Sequence, residues 1–372
     1  MRRTLWKYIL ISISCIVIAA FFGSETKGQQ PIEELDIVSG LGCDAEKQGS
    51  ETKYCIPMSV YVFNNDNIVN SMLKKGDALT IGQTRQTRAL ADDKQNMLGL
   101  EKVYIISEEH ATAGMRNLIE ILYRNPSLND TGYVTICRGK SEDLLKYQIN
   151  GYPSSSDYIE GLIKNSYFYN FFSDEYKITN MFLQVDAEGT NAVLPYIELT
   201  KEGIKITGMA VFNKDKMLLK MNMDDARVMN MLRGNSGKGI ISVQKGSNDY
   251  VDYYATSKRK VTCTKEGDKY KFVINLYLKG DIISNLSYKN ISKDSKIDNQ
   301  FEEDMCQYVK KMCNNFITKM KCEYKVDCLQ LGQVAAAKYG RHTGSDWNII
   351  VPNSEIIVNV KVHIDKTGRG DF

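Results

Sequence analysis

One long apolar run stands in this chain, and it stands at the start: Tyr8 to Phe22, with Arg2, Arg3 and Lys7 around its beginning. After Gly23 the sequence turns polar and globular in character, and no second run of that kind follows. Basic residues stay on the cytoplasmic side when such a segment enters a bilayer, so the rest of the chain is expected outside the cytoplasm as a water-soluble body. The strictly apolar core, about 15 residues, reaches roughly 22 Å as a helix, against a hydrocarbon layer of about 30 Å. Leu5, Trp6 and a snorkelling Lys7 bring it close to spanning length. A cleaved signal peptide and a retained membrane anchor therefore both fit residues 1–31. Lipid attachment at Cys15 after cleavage is a third outcome: Ser14 is suitably small, Ser12 fits less well, and a small apolar residue inside the segment is the simpler reading of Cys15.

The remaining body, about 340 residues, is long enough for two or three domains with a core that needs no staples. Over the whole chain 48 basic and 45 acidic side chains nearly balance, and no basic block gathers on any one segment. Lys258, Arg259 and Lys260 form the densest cluster and read as a solvated turn, so no nucleic-acid partner is expected. Nine cysteines in an exported chain include at least one that cannot pair. Cys43 and Cys55 end two strand-like runs, which makes a cross-strand disulfide geometrically possible. Cys306, Cys313, Cys322, Cys328 and His342 could suggest a metal site, but their spacing matches no zinc pattern and buried apolar cysteine is the better reading.

Periodicity divides the body into three units of mixed α/β (α+β) character, each a mixed sheet packed with helices. In the first, residues 32–150, Asp36 to Gly42 and Tyr54 to Phe63 read as a hairpin, with Pro57 marking an edge or a bulge. A β-α-β crossover follows: strand Lys102 to Ser107, a helix with Met115, Leu118, Ile119 and Leu122 on one face, and strand Gly132 to Arg138. Glu108 and Glu109 suit the start of that helix, where the dipole favours negative charge. Gly151, Tyr152, Pro153 and three serines suggest a boundary. The second unit, residues 151–236, holds helical segments near Tyr158 to Tyr169 and Ile178 to Val185, strands Ile204 to Phe212 and Met217 to Met221, and a short helix with Ala226, Met229 and Leu232. The third, residues 237–372, runs β-β-β-α-α-β. Its strands are Ile240 to Lys245, Tyr250 to Thr264, Tyr270 to Ile283 and Ile356 to Ile364. Its long helix carries Phe301, Met305, Val309, Met312, Phe316 and Met320 on one stripe, which predicts packing across a sheet.

No motif for catalysis emerges. Arg233 to Gly239 lacks the four-residue spacing and the hydroxyl residue of a phosphate loop. His110, His342 and His363 stand beside no recognisable nucleophile, and no Gly-x-Ser-x-Gly elbow exists. Asp224 and Asp225 suit a helix start better than acid–base chemistry. The residues by themselves point to an exported interaction or binding protein.

Motif order is more specific. Glu34 to Gly42, Val103 to Glu109 and the Arg124-Asn125-Pro126 turn resemble the N-terminal region of the Ger(x)C spore germination proteins. Leu194 to Ile197, Gly208 to Phe212, Gly280 to Ile282, Glu323 to Asp327, Asp346-Trp347 and the closing valine-rich strand up to Gly368 continue the resemblance. It implies a sporulation protein, the C subunit of a nutrient germinant receptor, built from three α/β domains and tethered on the outer face of the spore inner membrane. Two membrane-spanning subunits, A and B, are the partners it implies. No catalytic, cofactor or metal residue is carried over, and direct nutrient binding is left open. At the position of the family's lipid-bearing cysteine, counted back from Ile37 and Val38, this chain has Thr26, so the apolar leader itself becomes the expected anchor. The competing expectation is an exported solute-binding protein serving a membrane transporter, for which two similar lobes around a cleft would be needed.

Overall fold

The computed structural model describes residues 2–23, 31–64 and 69–367. Helix α1 (Arg2–Gly23) covers the leader, and among the described residues no helix is long and apolar enough to cross a membrane. Strands β1 (Leu35–Gln48) and β2 (Glu51–Phe63) form the opening antiparallel hairpin, and β3 (Val69–Ala78) pairs with the far side of β2. Helix α2 (Thr84–Ala89) and the short strand β4 (Gln95–Met97) lead into the crossover. There β5 (Val103–Ser107) and β6 (Tyr133–Cys137) run parallel, as the sequence predicts. The single helix expected between them is two. Ser107 caps α3 (Glu108–Ala113) by accepting the His110 N–H, Gly114 at φ 118° ends it, and α4 (Arg116–Tyr123) starts afresh.

Helices α5 (Ser141–Lys146), α6 (Ser155–Tyr169) and α7 (Ile178–Asp186) precede three antiparallel strands, β7 (Val193–Thr200), β8 (Gly203–Asn213) and β9 (Lys216–Asn222). Together the described strands so far make one nine-stranded sheet in the order β3-β2-β1-β5-β6-β7-β8-β9, with β4 also paired to β1. Every residue of β5 and β6 is buried, as befits parallel strands covered on both faces. Alternation sorts them. Tyr104, Ile106, Val134 and Ile136 face α4 and α7, whereas Val103, Ile105, Tyr133 and Cys137 face α5 and α6.

Helix α8 (Met223–Arg233) leaves this sheet for a second one, formed by β10 (Lys238–Gly246), β11 (Asp249–Glu266), β12 (Lys269–Asn285) and β13 (Glu355–Lys366) in that order. β12 and β13 are parallel. The connection between them is α9 (Ser295–Lys319), a π-helical turn Met320–Tyr324, α10 (Leu331–Tyr339) and the four-residue α11 (Trp347–Ile350). Phe301, Met305, Val309, Cys313, Phe316 and Ile317 of α9 are buried against the sheet, and each stabilises the fold by about 2 kcal/mol through loss of apolar surface. Their core is continuous with the α5–α6 face of the first sheet.

Several expectations are corrected. Pro57 lies in an inner strand, because β3 covers the far side of β2; beside it the β1–β2 ladder is interrupted between Leu41↔Met58 and Asp44↔Cys55. A Cβ on Gly42 would stand 2.6 Å from the Pro57 ring, so the close approach there needs glycine. The same register puts Cys55 opposite Asp44, hence on the opposite face from Cys43, and both thiols are free. Lys258 to Lys260 sit inside β11, not in a turn. No sheet ends at 150/151: α6 folds back onto the sheet after Pro153, and β6 pairs with β7 at Ile136↔Tyr196, so residues on both sides of that point share one sheet.

Candidate functional site at the junction of the two sheets

The site residues suggested by sequence do not converge. Cys15 is an exposed free thiol on α1, far in sequence from any other cysteine. Cys313 and Cys328 are buried, Cys322 is exposed, and the Cys306 thiol donates to the Val360 carbonyl at 3.5 Å. Among the described residues no three metal-ligating side chains gather. His110 is buried with Nε2 3.5 Å from Asn117, and burial lowers its pKa. Nδ1 of His363 stands 3.1 Å from Glu302 on the surface.

What the fold does bring together is a polar clasp where α8 passes from one sheet to the other. Asn222 caps α8 through the Asp225 N–H, which frees the buried Asp225 carboxylate to reach across. It accepts from Lys319 Nζ at 2.9 and 3.0 Å and from the Tyr324 hydroxyl at 2.7 Å, tying α8 to the end of α9. Burial pushes this carboxyl up, but the Tyr324 and Lys319 donors outweigh it and hold it below the ordinary value.

At the other end of α8, Arg233 donates to the carbonyls of Cys328 at 2.7 Å and Asn191 at 2.9 Å, and to Gln184 Oε1 at 3.2 Å. Arg259, from β11, donates to the carbonyls of Leu232 at 2.6 Å and Leu329 at 2.7 Å. These guanidinium groups thus tie α7, the segment that leads into β7, α8 and β11 to the α9–α10 connection. Each is partly buried, which lowers its pKa; burial first and Arg233 second push Arg259 down to about 10. Asp327, fully buried beside them, accepts the N–H groups of Leu329 at 3.0 Å and Gly332 at 2.7 Å. Asn191 closes the seam by donating to the Asp327 carbonyl at 2.9 Å and Asn348 Oδ1 at 2.7 Å. Backbone approaches equally closely at Gly189: its φ is 72°, and a Cβ would stand 2.3 Å from Gln333 N.

This arrangement fixes geometry; it offers no aligned nucleophile, base and oxyanion donor. Sequence reading missed it because Arg233 was weighed only as the start of a failed phosphate loop and Arg259 as part of a solvated turn. The one available signal was an arginine inside a strand pattern, flanked by residues that alternate correctly around it.

Comparison with known proteins decides the family. Residues 28–199 match the family described as spore germination protein N-terminal domain, and residues 207–368 match spore germination B3/GerAC like, C-terminal. The chain belongs to the Ger(x)C spore germination proteins. Among curated relatives, spore germination protein GerQC of Bacillus cereus is 23% identical over 346 residues, covering 91% of this chain and 93% of that protein. The crystal structure of the GerBC protein superposes with a TM-score of 0.56 at 13% identity, over 87% of this chain and 97% of that one, which establishes the shared fold. In this Ger(x)C chain the two matched regions meet at the β7–β8 turn, inside the first sheet, whereas the sheets change over between β9 and β10. The two sheets are unlike in size and order, so the similar lobes of a solute-binding protein are not what this chain builds.

Proposed function

We propose that this chain is the non-enzymatic C subunit of a spore germinant receptor, tethered at the outer face of the spore inner membrane, where it supports assembly with two membrane-spanning subunits, A and B. The observation that carries this reading is the match of two germination-protein regions in series over nearly the whole body. The basic residues ahead of Tyr8 to Phe22 support delivery of the body to the outer face. For the tether, the leader held as a helix is favoured over lipid on Cys15, because Cys15 lies well inside the apolar run. Confinement near the membrane raises the body's effective concentration for its partners, so modest contacts suffice. A body clasped at Arg233, Arg259 and Asp225 suits a role exercised by contact, since it presents its surfaces in one fixed relation.

The test uses spores stripped of their other germinant receptors. Deleting this chain should abolish nutrient-triggered dipicolinate release, and restoring the full chain, but not a version lacking residues 1–30, should return it. Release at the parental rate in the deletion strain would overturn the receptor role; full rescue by the leaderless version would overturn the tether.

A further inference from the structure

On the α4 face of the first sheet, away from the clasp, a cavity of about 430 Å3 lies between β1, β2, α2, α4 and the segment that carries β4. Leu41, Ile56, Met58, Leu118 and Leu122 give it an apolar floor. Its opposite wall holds three cations, Arg85, Arg88 and Lys94, against one carboxylate, Asp92.

Arg88 is the anomaly. It is 5% exposed, yet its Nε and Nη1 are buried without a hydrogen-bond acceptor. Asp92 stands 3.8 Å from Nε, beyond hydrogen-bond reach. Its Oδ2 accepts instead from Asn96 Nδ2 at 3.0 Å, and its Oδ1 is shared as an ion pair with Lys74 Nζ at 3.6 Å. Asp92 thus balances the charge, but buried donors in folded proteins are nearly always hydrogen-bonded as well, and these two are not. A guanidinium offers a carboxylate two parallel hydrogen bonds from Nη2 together with either Nε or Nη1, and both of those neighbours lack an acceptor here. Below it, the apolar floor can bury a hydrocarbon body, and the volume lies in the range of small-molecule sites.

We propose that this cavity binds a small organic anion, a monocarboxylate on an apolar body, with its carboxylate on Arg88 and its body against Leu41, Met58, Leu118 and Leu122. Asp92 in the same wall disfavours compact, multiply charged anions such as inorganic phosphate. Burial lowers the Arg88 pKa while Asp92 raises it, and a bound carboxylate acts in the same direction as Asp92. Asn96 Oδ1, also in the lining and unpartnered, is free to accept from one hydroxyl or amine on the ligand. The proposal is independent of the receptor role, since it concerns one cavity within one sheet's cover.

The test is calorimetry on the full chain in nanodiscs of zwitterionic lipid, titrated with 3-phenylpropionate, 4-methylpentanoate, their neutral amides and inorganic phosphate. At least one acid should bind about tenfold or more tightly than its amide and than phosphate, a difference of about 1.4 kcal/mol. Arg88→Gln should remove that preference. Leu122→Trp, which fills the floor and leaves Arg88 in place, should abolish binding of the acid, and it keeps the test open if Arg88→Gln does not fold. Equal affinity for acid and amide, an unchanged acid affinity in Arg88→Gln or Leu122→Trp, or no acid binding below about 5 mM would each overturn the proposal.

Discussion

Arg233 illustrates what a single side chain holds at the seam. Arg233→Ala takes the guanidinium donor from three acceptors, two of them main-chain carbonyls of the buried residues Asn191 and Cys328. The expected loss is about 3 kcal/mol in urea unfolding of the full chain, with Arg233→Lys recovering only part, because an ammonium cannot span the fork. A loss within about 0.5 kcal/mol would show that the seam stands without it. Little at this scale was legible beforehand. A run of Lys258, Arg259 and Lys260 looks solvated, and nothing local reports that Leu232 and Leu329, distant in the chain, turn their carbonyls towards its middle member. Cys43 and Cys55 mislead for a related reason: one register step decides which face a strand residue takes, and that step is set by the whole hairpin.

At the scale of elements, periodicity served well wherever partners are close in sequence. The stripe on α9 and the alternation in β13 read correctly because each has one buried face. β3 and β7 were missed. β3 hides Lys74 among its inward positions, and β7 carries Pro195 within a stretch buried on both sides, so neither shows the expected alternation. The contact between α8 and α9 carries a pH prediction. Asp225 has a folded pKa below its unfolded value, so its pairing with Lys319 and Tyr324 contributes fully above the ordinary carboxylate range and is lost as pH falls through the folded value. The gap in melting temperature between the wild type and Asp225→Asn should be widest near neutral pH and narrow as pH falls below the ordinary carboxylate range. A gap that stays constant over that range would mean the carboxylate's charge contributes nothing.

Across the whole molecule, the core that begins under α5 and α6 continues through α8 to the inner face of β11 and β12 without a break. Separate sheets sharing one apolar interior should melt together, so calorimetry of the full chain is expected to show one transition; two resolved transitions would mean the interior is divided. The sequence reading placed a division at 150/151 because Gly151 and Pro153 interrupt the pattern, yet a turn residue cannot say whether the chain leaves a layer or doubles back upon it. Local signals record where the backbone bends; membership of a layer is decided by distant partners such as Ile136 and Tyr196.

The position of β1 bears on the proposed tether. It has partners along both flanks, β2 on one and β4 and β5 on the other, whereas β13 at the opposite end of the chain is bonded along a single flank. Under the proposed tether, tension arriving from the leader is shared among many parallel bonds on two sides, and the first strand is not an outer plank open to stripping.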